Sequence, residues 1–191
     1  MKTIPEHIVF AHSPFQENLR SNKLWTNTKD MTTQKELFIK LALDAWNIQV
    51  KRADNLFDAL SDEQLRNEVA PNRNRGIYLL GHLTAVHDRM LPLLGFEEQL
   101  YQQFDNVFLL NPDRSQIEMP SIKDVRNNWK EVNTRLAKNF NNLKPEEWFQ
   151  KHNSVSDEDF VKEPHRNRLG VLINRTNHLA YHLGQLAFLK K

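Results

Sequence analysis

Cysteine is absent from this chain, which excludes disulfides, thiolate ligands to a metal and a cysteine nucleophile. Any metal must therefore be held by His, Asp or Glu. Only 5 glycines occur in 191 residues, too few for the many tight hairpins of a β-sandwich or barrel, whose turns need positive φ. No run approaches the ~20 apolar residues needed to cross a bilayer. The segment Met1-Lys2-Thr3-Ile4-Pro5-Glu6-His7 puts a glutamate, a proline and a histidine where a secretory leader carries its apolar stretch, so a cytoplasmic location is expected. No sign of charge dominates either: 26 Lys and Arg against 24 Asp and Glu leave a formal +2, mixed along the chain rather than in blocks. Without a basic face, neither nucleic acid nor a membrane is expected as a partner. What is present, 39% hydrophobic and 26% charged residues, is the balance of a globular chain with one substantial core.

Hydrophobic periodicity organises most of the length. Residues 1–32 carry scattered aromatics (Phe10, Phe15, Trp25) without a sustained period and read as an irregular arm. Residues 33–191 read as one helical domain. Over 33–60, Leu37, Phe38, Leu41, Ala45, Trp46, Ala53, Leu56, Phe57 and Leu60 recur mostly at spacings of three and four, one face of a long helix. Ser61 is placed to cap a short turn, and Pro71-Asn72-Arg73-Asn74 breaks the pattern. A second stripe, Leu79, Leu80, Leu83, Val86, Met90 and Leu94, predicts a helix over 76–94 stopped at Gly95. Ser121 can cap a third helix with the stripe Ile122, Val125, Trp129, Val132, Leu136, Phe140 and Leu143. The fourth, over 166–190, turns Leu172, Thr176, Leu179, Leu183 and Leu186 to the core. Residues 96–120 and 144–165 are left as long connections. Four amphipathic helices without a convincing strand predict an all-α four-helix bundle with a long crossover.

The sharpest chemical feature is Asn177-His178-Leu179-Ala180-Tyr181-His182-Leu183-Gly184-Gln185 in the last helix. Residues i and i+4 share a helix face with Cβ atoms ~5–6 Å apart, so His178 and His182 can reach one small ion. His82, flanked on its own face by Leu79 and Val86, should point into the bundle. Bundles build metal sites from inward side chains on facing helices, and a third imidazole would give a three-ligand site with an open position. The bare pair reads more readily as two ordinary helix histidines, and His82 alone as a hydrogen-bonded interior residue. His87 lies about 140° round the helix from His82 at ~100° per residue and is left out. His7, His12, His152 and His165 fall in irregular segments and read as solvated.

Absences narrow the chemistry further. Leu179 follows His178, so the HExxH pattern is unmet, and no Glu-x-x-His pair exists for a di-iron bundle. There is no phosphate loop and no GxSxG elbow. On the residues alone the choice is a mononuclear site or none. By helical spacing Asn174, Gln185 and Tyr78 are candidates to orient a ligand or touch a substrate, and Arg175 and Arg89 to hold an anionic group; each reads more readily as an ordinary polar side chain.

The order Gly81-His82-Leu83, then His178-x-x-x-His182-x-x-Gln185-Leu186 near the C-terminus, resembles the DinB-like superfamily of metal-binding four-helix bundles, which includes bacillithiol and mycothiol transferases and metal-dependent hydrolases. The resemblance covers residues 34–191. It implies a divalent ion, zinc or nickel, with His82, His178 and His182 as its protein ligands and an open position for water or a thiolate. In a transferase the ion would activate an exogenous low-molecular-weight thiol against a small-molecule substrate; in a hydrolase it would activate water. A non-catalytic stress-response module is the third reading, and a homodimer is also implied.

Overall fold

The computed structural model describes residues 28–190, with side chains from Gln34 onward. Residues 1–27, most of the expected arm with His7 and His12, lie outside the described residues. Two compact units divide the chain after Gln34, and the second holds everything that follows. Four long helices dominate the described residues: α1 (Thr28–Ala59), which begins before that division, α3 (Gly76–Asp88), α6 (Ile122–Asn142) and α8 (Arg168–Leu186). Shorter helices α2 (Asp62–Arg66), α4 (Met90–Leu93), α5 (Gln103–Phe108) and α7 (Asp157–Lys162) occupy the connections. Among the described residues there are two isolated bridges, Glu68 with Arg75 and Lys151 with Asn167, and no strand. No described helix is long and apolar enough to cross a membrane.

Sequence punctuation explains most boundaries. Ser61 accepts from the Gln64 amide while the Gln64 side chain accepts from the Ser61 amide, a reciprocal cap on α2. Ser121, Ser156 and Asn167 cap α6, α7 and α8 one way, each side chain accepting from the amide three residues on. Gly95 leaves α4 at φ +74°, the left-handed stop that only glycine adopts without strain. One helix expected over 76–94 is in fact two, α3 and α4, broken at Arg89. Pro92 is the cause: it has no N–H for the Asp88 carbonyl, and its ring crowds that turn.

Helix α3 is the central element, buried almost all round. Against it α6 sets Val125, Trp129, Val132 and Leu136, and α8 sets Leu179, Leu183 and Leu186. Helix α1 joins them through Phe57 packed edge-on against Trp129 at 5.4 Å, the Trp129 indole donating to Asp54 at 2.8 Å, and Arg126 donating to the Phe57 and Leu60 carbonyls. The expected α1 stripe is out of phase at its start. Leu37, Phe38 and Leu41 are 55%, 63% and 57% exposed, whereas Ile39 is 7% exposed, and Ala45 also faces solvent. The inward row is Ile39, Leu43, Trp46, Val50, Ala53, Phe57 and Leu60, with Leu43 and Val50 partly buried, which keeps the helical period but rotates the face.

The crossover between α3 and α6 is tied down by buried charge. Asp88, with no exposed surface, accepts from the Leu100 and Tyr101 amides at 2.9 and 2.8 Å. Asp113 takes the Arg75 guanidinium in a fork at 2.6 and 3.0 Å and the Arg75 amide at 2.7 Å. Bonds of this kind are the strong, directional ones, and they fix α5 between them over the flank of α3.

Candidate metal centre

Helix α8 presents His178 and His182 one turn apart, and α3 presents His82 opposite them. The nearest ring nitrogens of the three lie within 4.8 Å of one another. His178 Nε2 is 3.2 Å from His82 Nε2 and 3.1 Å from His182 Nε2. All three rings are half-buried, with planes tilted by 56°, 70° and 81° to one another. The convergence expected from sequence is therefore present.

The outer nitrogens decide what the inner ones offer. His82 Nδ1 donates to the Phe108 carbonyl at 3.0 Å, one of the last carbonyls of α5, which lack intrahelical partners. His182 Nδ1 donates to Gln185 Oε1 at 2.8 Å. Both rings thus carry their proton outside and turn an Nε2 lone pair inward. The third, His178, has at most one proton for two facing lone pairs, and its own Nδ1 is buried without a partner. No arrangement of protons satisfies all three inner nitrogens at once, whereas a cation would satisfy them together. The two separations from His178, 3.1 and 3.2 Å, match the ~3.0–3.4 Å between imidazoles bound at ~2.1 Å in octahedral or tetrahedral geometry, and the third lies within 4.8 Å. A divalent ion fits this donor set.

Electrostatics keep the rings neutral. Burial is the main cause pushing the His82, His178 and His182 imidazoles below their ordinary 6.5, His178 to about 4. Mutual repulsion and the Arg175 guanidinium add to it for His178, and Arg175 also acts on His82. Protons therefore compete weakly for the nitrogens at neutral pH.

The supporting residues divide as follows. Gln185 orients His182, as its spacing suggested. Tyr78 does not bond to His82; its ring stacks on it at 6.5 Å and 12°, with its hydroxyl donating to the Asn111 carbonyl at 2.7 Å. Asn174 is exposed, without a bond to the histidines among the described residues. Arg89 is committed to Asp105 at 2.9 Å and is not free to hold a substrate anion. Arg175 is half-buried, its Nε without a partner. His87 stays outside the cluster, between Trp46 and Trp129 at 4.7 and 4.9 Å, with Nδ1 donating to Asn133 at 2.9 Å. His152 is half-buried and His165 exposed, so of these two His165 is the solvated one.

Sequence reasoning missed Phe108, because a backbone carbonyl leaves no residue signature. One trace existed. A Cβ at Gly81 would sit 2.3 Å from the Phe108 ring, so the glycine beside His82 is what lets α5 approach α3. Phe108 is fully buried there, edge-on to Tyr78 and Phe104 at 5.9 and 5.1 Å.

Comparison with curated proteins finds no match. A family match does exist, and it spans residues 45–186, from the middle of α1 to the end of α8, with all three clustered histidines inside it. Matched over most of its length, on the helices that build the three-histidine cluster, the chain belongs to the DinB superfamily.

Proposed function

We propose that this protein is a metal-dependent S-transferase that joins a low-molecular-weight thiol to an electrophilic small molecule, with His82, His178 and His182 holding zinc or nickel. The observation that carries the reading is three neutral imidazole lone pairs converging on one half-buried point, with no carboxylate in the cluster among the described residues. No carboxylate is placed there as a general base for an attacking water, which favours the thiol reading. The chain has no cysteine, so a sulfur nucleophile must enter as a co-substrate. When bound, a divalent ion with an open position supplies Lewis acidity that lowers the pKa of a coordinating thiol.

The protein's own share is positional. Phe108 and Gln185 hold the His82 and His182 tautomers, as partners behind a metal ligand do. Half-burial lowers the local dielectric and strengthens every charge interaction there. The reaction balances as RSH plus R′X giving RSR′ plus HX, with the thiol proton leaving to solvent.

Zinc- and nickel-loaded protein incubated with a panel of small thiols and monochlorobimane tests it, beside chelated wild type and His178→Ala. Conjugation accelerated by loaded wild type alone is expected. Equal rates in all four samples with every thiol overturn the transfer reading. Thiol-independent hydrolysis of an activated ester by the loaded protein would move the assignment to a hydrolase.

A further inference from the structure

Along α8 the metal-facing stripe continues towards the N-terminus. Val171, Asn174, Arg175, His178 and His182 fall at helical spacings on one side. Residues of that stripe, Val171, Asn174 and Arg175, line a cleft of about 360 Å³ closed on its other walls by His152, Ser154, His165 and Arg166, large enough for a small ligand. At 1.5 Å per residue, Arg175 lies ~4.5 Å and Gly170, at the far end, ~12 Å along the axis from His178.

The cleft is built with one sign of charge. Two guanidiniums and two imidazoles line it, and no carboxylate does. Arg166 pairs with Glu163 at 3.1 Å, the two side chains 38% and 50% exposed, an exposed pair that holds little free energy. Arg175 has no ion pair among the described residues, and its Nε is buried without a hydrogen-bond partner. Its cationic neighbour Arg89 has Asp105; Arg175 has no such carboxylate. A half-buried guanidinium costs free energy unless an anion meets it, and its planar fork fits a carboxylate with two parallel bonds.

We propose that this cleft receives the carboxylate of an anionic thiol whose sulfur sits at the three-histidine centre, with Arg175 as the recognising residue and Arg166 as the outer wall. This rests on the thiol-transfer reading and adds the substrate's charge and the place where it is read.

The test uses the full chain loaded with cobalt, with sulfur binding followed by the thiolate-to-cobalt charge-transfer band at constant ionic strength. The probes are 3-mercaptopropionate and 6-mercaptohexanoate against their uncharged amides. Wild type should bind at least one of the acids about tenfold more tightly than its amide, the scale of one charge-assisted hydrogen bond. Arg175→Gln should lose that preference with its cobalt d–d spectrum unchanged. Arg166→Gln, at a more exposed position, should reduce it and serves in place of Arg175→Gln if that variant does not fold. Acids and amides binding equally to wild type, both with the sulfur band, overturn the cleft while leaving thiol transfer intact. If no thiol gives the band, thiol transfer fails, and adipate against adipamide by calorimetry decides the cleft. A preference for the dianion that Arg175→Gln abolishes supports it, and no preference overturns it.

Discussion

Replacing His87 with leucine should flatten the acid limb of the stability curve. His87 has no exposed surface. Burial, partly opposed by its bond to Asn133, pushes its pKa down from 6.5 to about 3, and its Nε2 has no partner. Unfolding restores the ordinary value. Because the folded value is the lower one, the unfolded chain binds the extra proton between the two. Stability from this group is intact above pH ~6.5 and is lost progressively as pH falls towards ~3. Each unit in that window is worth about 1.4 kcal/mol, so wild type should lose about 2 kcal/mol through this residue by pH ~5. The assay is urea unfolding of metal-free protein at pH ~8 and pH ~5, followed by tryptophan fluorescence and far-ultraviolet circular dichroism. Trp46 and Trp129 flank the substituted site. Packing costs of the leucine are common to both pH values and cancel in the difference between differences. The variant should gain about 2 kcal/mol on wild type between the two conditions. A gain below about 0.5 kcal/mol would refute the claim that this histidine stays neutral in the fold.

Two further perturbations address the metal centre from behind its ligands. Gly81→Ala places a Cβ 2.3 Å from the Phe108 ring; overpacking of this kind costs about 1–3 kcal/mol. Displacing Phe108 should also weaken metal binding, as measured by competition with a chelating dye; unchanged affinity would mean that the Phe108 carbonyl does not orient His82. Gln185→Leu removes only the acceptor for His182 Nδ1 and should lower metal affinity about ten- to a hundredfold with helix content unchanged, whereas a parallel loss of helix would assign Gln185 a structural part instead.

Much of this was legible in the sequence where one signal governed the outcome. The α6 stripe from Ile122 to Phe140 and the α8 stripe from Leu172 to Leu186 are buried as their periods require. The three clustered histidines were legible because two of them share a helix face. Competing signals spoiled the rest. Leu37, Phe38 and Leu41 share the beginning of α1 with Ile39 and Leu43, and periodicity among many apolar residues does not choose the phase. Pro92 inside an apolar stripe was outweighed by the stripe, although its missing N–H ends α3. Helices α5 and α7 are each six residues long, too short for a period to emerge. His152 read as solvated because its segment is irregular, and the cleft it lines is assembled from chain remote in sequence.

The uneven split of the histidines, two on α8 and one on α3, gives the centre a mechanical meaning. A cation gripped there would fasten the last long helix to the middle of the chain, at a point set by two rings already pre-spaced on a single helix. Without the cation α8 would be held to α3 by packing alone, so that the seating of α8, though not its helicity, would follow metal supply.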